Sequence, residues 1–221
     1  MANRFPLPPS APSPDDGPTA ARFDSSLFQS TLTSLFPLVH AHALSHLHFS
    51  HLPPDFLASR VSEGILTLNH YPADVAVNVG DVLLGAHVDV DFLTFLFPLS
   101  PSAASPSSAG LQILSGGEWK TITIPDGGCV VNAGDSFADW LAVHPPSSAA
   151  MPSAAIKSTV HRVARVRPVS RGEGGRLTVA YFLPLGAEAT MDDPNDPGVK
   201  GVSASKWRSK RVKRALKEAR K

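Results

Sequence analysis

Apolar residues form no regular pattern over the first two dozen positions, and then two successive periods appear. Between residues 25 and 47 they fall at Phe28, Leu32, Leu35, Phe36, Val39, Ala43 and Leu47, the three-to-four spacing of one helix face. Pro37 lies inside this stripe and bends or breaks it, because its ring removes an amide donor. A short helical piece around 54–61 follows. Beyond Gly64 the pattern shortens to runs that predict strands at 65–71, 82–88, 93–97, 111–114, 119–124, 129–132, 158–166 and 176–183. Turn-forming clusters separate them, Pro125-Asp126-Gly127-Gly128 among them. Eight short strands without long helices between them predict a mainly β fold, an antiparallel sandwich or jelly roll.

Composition refines this picture at the ends and in two connections. Residues 1–24 are rich in Pro, Ser and Ala and are expected to be a disordered leader, too poor in apolar area to fold. The segments 100–109 and 144–155 have the same character and are expected to be surface insertions. One domain is expected over 25–190, its strands starting near 65. Residues 191–221 begin as a Pro/Asp/Gly loop and end as a basic helix. Twenty-one Pro and 16 Gly with only 18% charged residues agree with many turns and little long helix. A formal net charge of +1 gives no global attraction to nucleic acid or membrane. The single cysteine, Cys129, excludes an intramolecular disulfide framework and fits a reducing, cytoplasmic setting. It sits in an apolar run and reads as an inert core residue. No apolar run is long enough to cross a bilayer.

Candidate chemistry concentrates in Gly85-Ala86-His87-Val88-Asp89-Val90-Asp91, on a predicted strand and its exit. Alternate positions of a strand share a face, so His87 and Asp89 can reach one point. A third group on a later strand, His161 in Lys157-Ser158-Thr159-Val160-His161-Arg162-Val163, can be brought beside them in a jelly roll. Two imidazoles and one carboxylate form the facial triad of non-haem Fe(II) oxygenases, which leaves coordination positions open for a co-substrate and O2. Arg176 and Thr178 share a face of the last strand. A guanidinium fork with a neighbouring hydroxyl is suited to a carboxylate. Asn69 and Tyr71 share a face of the first strand, from which Tyr71 can donate to the same small acid.

These pieces, taken in order, resemble the isopenicillin N synthase-like branch of the 2-oxoglutarate and Fe(II)-dependent oxygenases. The matching segments are Leu68-Asn69-His70-Tyr71-Pro72, His87 through Thr94, Gly110-Leu111-Gln112-Ile113, Gly117-Glu118-Trp119, Val130-Val131-Asn132-Ala133-Gly134-Asp135, the run around His161, and Arg176-Leu177-Thr178. The resemblance spans about residues 25–190. It implies a double-stranded β-helix with flanking N-terminal and C-terminal helices. It also implies iron on His87, Asp89 and His161, and 2-oxoglutarate on Arg176, Thr178 and Tyr71. Asn69 and Asp91 are candidates for supporting these groups from behind.

The implied activity is oxidation of a C–H bond in a small organic molecule, of a secondary-metabolite kind, with release of succinate and CO2. The alternatives are an oxidase of the same fold that does not use 2-oxoglutarate, or an inactive binding form. Thr178 stands where the family usually has Ser. Asp91 stands where Gly is frequent, and is expected behind the site or facing solvent. The usual region ahead of the N-terminal helix is missing, so apolar surface is expected around that helix.

Two further signals carry little. His40, His42, His46, His48 and His51 cluster, but without the partners of a zinc motif they read as surface histidines. The basic tail from Lys206 to Arg214 has the composition of a nucleic-acid patch. Trp207, Val212, Leu216 and Ala219 offer instead an apolar stripe for packing on the sheets, and that reading is preferred. The expected partner is therefore a small-molecule substrate, without membrane or nucleic acid, and the chain is expected to be a monomer.

Overall fold

A computed structural model describes residues 26, 30–35, 38, 64–71, 78–99, 110–125, 127–143, 157–166, 176–186, 189–193, 196–198 and 200–218. The leader, most of the N-terminal stripe including its histidines, the piece around 54–61 and both Ser/Pro/Ala insertions lie outside the described residues.

All eight predicted runs are strands: β1 (Ile65–Tyr71), β2 (Val82–His87), β3 (Leu93–Pro98), β4 (Leu111–Ser115), β5 (Glu118–Thr121), β6 (Val130–Ala133), β7 (His161–Ala164) and β8 (Arg176–Leu183). The expected 119–124 and 158–166 shrink to four residues each, with single backbone hydrogen bonds from Ile122 to Leu111 and from Arg165 to Asp81 continuing past their ends. One sheet runs in the order β1-β8-β3-β6 and the other β2-β7-β4-β5, with every ladder antiparallel. The chain thus passes repeatedly from one sheet to the other, which is jelly-roll connectivity. It also brings β2 and β7, far apart in sequence, side by side.

Helix α1 (Asp135–Val143) was not expected from the sequence. Its apolar residues Phe137, Trp140 and Leu141 follow helical spacing, with an acidic residue in the first turn. The tail forms a two-residue strand pair, β9 (Thr190–Met191) with β10 (Val202–Ser203), and then helix α2 (Ala204–Glu218). Residues 30–35 are helical.

The main apolar core lies on the back of the first sheet, outside the space between the sheets. Phe95, Tyr181 and Leu183 from that face meet Phe137, Trp140 and Leu141 of α1, Trp207 of α2, Leu32 and Met191. Phe95, Leu183 and Leu141 are fully buried. Truncating any of them removes apolar contact that neighbouring groups cannot fully refill, at a cost of about 2–5 kcal/mol. Trp207 does pack as the apolar stripe of the tail predicts, being 1% exposed, but Val212 is 39% exposed and does not. Three arginines of the helix, Arg208, Arg211 and Arg214, add ion pairs to Asp91, Asp139 and Asp196, and the side chains of Leu216 and Ala219 lie outside the described residues.

Candidate metal centre

The inward faces of the two sheets line one cavity, and strand register fixes what projects into it. On the first sheet Asn69 pairs with Thr178 and Tyr71 with Arg176, while Thr94 pairs with Phe182 and Asn132. On the second, His87 pairs with His161, which pairs with Ile113. All of these residues line the cavity.

His87 and His161 each stand with Nε2 3.8 Å from Oδ1 of Asp89, which lies just past the end of β2. One ligand atom from each of the three residues lies within 4.8 Å of the others. The ring tautomers are set from behind. Nδ1 of His87 donates to the Gly85 carbonyl at 2.8 Å, and Nδ1 of His161 to the Thr159 carbonyl at 2.9 Å. A carbonyl only accepts, so each Nδ1 carries a proton and, in the neutral ring, Nε2 is the nitrogen left with a lone pair on the Asp89 side. Asn132 Nδ2 donates to Asp89 Oδ2 at 2.9 Å, which leaves Oδ1 directed at the histidines. Asp89 is buried while the His87 side chain is 37% exposed. The centre is therefore closed on the carboxylate side and open on the His87 side. Three N and O donors on one side of an open position suit a first-row divalent ion such as Fe(II).

A second polar group lines the same cavity. The guanidinium of Arg176 sits 4.6 Å from the centroid of the Tyr71 ring. Burial pulls the Arg176 pKa down from its ordinary value, with Tyr71 opposing the shift. Burial pushes the Tyr71 phenol up, and Arg176 offsets part of that rise. The buried Thr178 hydroxyl has no hydrogen-bond partner among the described residues. A cation and an unsatisfied donor on alternate positions of one strand are the complement of a small carboxylate. Gly110 makes room for this arrangement. A Cβ there would stand 3.2 Å from Arg176 Nη1 and 2.5 Å from the Ala164 carbonyl, and its φ of +121° disfavours any side chain.

Of the sequence-predicted residues, His87, Asp89, His161, Asn69, Tyr71, Arg176 and Thr178 meet around this one cavity. Asp91 does not. It is neither at the cavity nor facing solvent, but 7% exposed and paired with Arg208 of α2. Sequence reasoning missed Asn132 as the partner of Asp89, and Thr94, whose buried hydroxyl also lines the cavity without a partner among the described residues. Period-two alternation carries a signal for both, since each stands one position from a residue on the opposite, core-packed face.

An antiparallel jelly roll that brings two histidines and one carboxylate together carries the donor set of non-haem Fe(II) oxygenases. The family model of the 2OG-Fe(II) oxygenase superfamily matches residues 62–184, and the chain belongs to that superfamily. Among solved structures, the chain is similar to a full-length Neurospora crassa protein in complex with alpha-KG, at 26% identity and a TM-score of 0.59. That alignment covers 86% of this chain and 55% of the Neurospora protein, so the chain spans about half of that protein's length. A 2OG-Fe(II) oxygenase family protein from Caulobacter crescentus shares the fold at 22% identity and a TM-score of 0.61, over 96% of this chain and 68% of its own. Dioxygenase for auxin oxidation 1 from Arabidopsis thaliana, in complex with 2-oxoglutarate, does so at 19% and 0.50, over 78% and 55%. No curated protein matches the chain. No described helix is long and apolar enough to cross a membrane.

Proposed function

We propose that the chain is a non-haem Fe(II) and 2-oxoglutarate-dependent dioxygenase that oxidises a C–H bond of a small organic molecule, of a secondary-metabolite kind, in the cytoplasm. The observation that carries this reading is the meeting, around one cavity, of three convergent ligand atoms with a half-buried cation and an unsatisfied hydroxyl. Iron would be held by His87, Asp89 and His161, and the distal carboxylate of 2-oxoglutarate by Arg176 and Thr178. Tyr71 keeps its phenolic proton because burial raises its pKa, and so donates to the same carboxylate. Bound iron with 2-oxoglutarate supplies the oxidising chemistry, with succinate and CO2 as products.

This chain's own residues do the rest. The two backbone carbonyls fix the imidazole tautomers, Asn132 orients Asp89, and the walls formed by Leu84, Leu96, Leu111, Ile113 and Val163 keep water from the polar groups. The related Neurospora crassa protein has been seen with alpha-KG and thymine, and a flat heterocycle of that size is a reasonable first substrate to try. The reading is tested by supplying Fe(II), 2-oxoglutarate, ascorbate and air and measuring succinate. Succinate is expected from the wild-type chain and not from His161→Ala. Equal succinate from both would remove His161 from the centre.

A further inference from the structure

The turn that carries Asp89 is held by an unusual number of contacts. Backbone N–H groups of Asp135 and Ser136 donate to the carbonyls of Asp89 and Val90, and Gly134 N–H donates to that of Phe92. Gly134 packs so closely that a Cβ there would overlap the Asp91 carbonyl and stand 2.9 Å from that of Asp89. Phe92 anchors the far end of the turn, 2% exposed and with its ring 4.6 Å from that of Phe137.

A further contact comes from another part of the chain. Arg208 of α2 brings Nε to 2.9 Å from Asp91 Oδ1, an ion pair off the line of a hydrogen bond. The Asp91 side chain is 9% exposed and that of Arg208 32%, so the pair is poorly screened. The same helix is fastened independently. Arg211 Nη2 donates to Asp139 Oδ2 of α1 at 2.7 Å and lies 3.4 Å from Asp193, and Trp207 fills the core. A buried carboxylate two positions beyond a ligand is costly unless paired, and only one residue separates the two backbones.

We propose that Arg208 is a positioning residue for the metal centre: by pairing with Asp91 it holds the turn that presents Asp89. Without Arg208 the Asp91 carboxylate loses this charge partner and the turn shifts, tilting the Asp89 carboxylate away from the two Nε2 atoms. Arg211, which fastens α2 to α1 and not to the turn, supports stability without setting the position of the ligand. The inference rests on the metal reading above.

The test titrates Co(II) into the anaerobic full-length chain, following the visible d–d bands together with thermal melting. Arg208→Gln is expected to weaken Co(II) roughly tenfold, the lower end of what disturbing the support of a metal ligand costs, and to change the band intensities. Arg208→Lys, which keeps the charge, should recover part of the affinity. Arg211→Gln should lower the melting temperature at least as much while leaving affinity and bands close to wild type. Wild-type affinity and bands in Arg208→Gln would overturn the proposal. So would an equal loss of affinity in Arg211→Gln, which would make the effect one of helix docking in general. A wild-type chain that takes up no Co(II) would overturn the metal centre itself, an outcome visible before any variant is compared.

Discussion

Replacing Arg176 by Leu removes the cation from the cavity while keeping an apolar side chain on a strand position that is half-buried. Its guanidinium lies 4.6 Å from the centroid of the Tyr71 ring, and a Cβ at Gly110 would stand 3.2 Å from its Nη1. Burial already depresses its pKa, which shows that its charge is felt in a poorly solvated setting. Truncating one partner of such a charge pair costs on the order of 2–5 kcal/mol, or roughly 30-fold to several-thousand-fold in affinity. Arg176→Lys should recover only part, because an ammonium cannot present the planar fork. Metal affinity should be nearly unchanged, since Arg176 is not a ligand. The assay is an anaerobic titration of 2-oxoglutarate into the Fe(II)-loaded chain, read by the weak visible charge-transfer band of the chelate. Equal affinity of wild type and Arg176→Leu would refute the anchor. A wild-type chain with no band at all would leave the fold to an oxidase that uses the Arg176–Thr178 pair for its own substrate's carboxylate.

Three further outcomes follow from the same geometry. Asn132→Ala frees Asp89 Oδ2 and should weaken Fe(II) or Co(II) about 10–100-fold, with little change in melting temperature; metal titration with calorimetry checks both. Leu183→Ala should do the opposite, destabilising by roughly 2–5 kcal/mol in denaturant while metal affinity holds, because the residue is fully buried on the face away from the cavity. The Tyr71 phenol titrates above its ordinary value of 10.0, so co-substrate affinity should show no break attributable to it up to about pH 9. A break that vanishes in Tyr71→Phe would sink that assignment. In the window between the ordinary and the raised value, the unfolded chain has released a proton that the folded chain keeps. Stability should therefore fall as pH climbs through it.

The strands and the three convergent ligands were legible because each rests on a local rule. Alternation places His87 on the cavity side of β2, and Arg176 and Thr178 on one face of β8, whatever the tertiary details. Helix α1 was missed although Phe137, Trp140 and Leu141 keep helical spacing, since nine residues following a strand and a Gly-Asp pair read equally well as a turn. Asn132 was legible as part of a motif but not as a partner of Asp89, because its role arises from the pairing of β3 with β6, which no single segment encodes. Asp91 was legible as a candidate for supporting the site from behind, but its ion-pair partner was not: Arg208 lies at the far end of the chain, and only the docking of α2 brings the two together.

The two histidines of the proposed centre face each other directly across β2 and β7, and this is also the least regular described ladder, with register shifts between Val82 and Leu84 and again between Leu84 and His87. An irregular ladder is a place where strands can breathe. An ion seated on His87 and His161 would act as a rivet through that seam, so metal and register would be thermodynamically linked. Stripping the metal should speed amide exchange at Leu84, His87 and Val163 while leaving Phe95 and Tyr181, in the sheet backed by the apolar core, as slow as before. The seam that opens would be the wall of the cavity. Loss of the ion would thus make its own binding site the first part of the molecule to come apart.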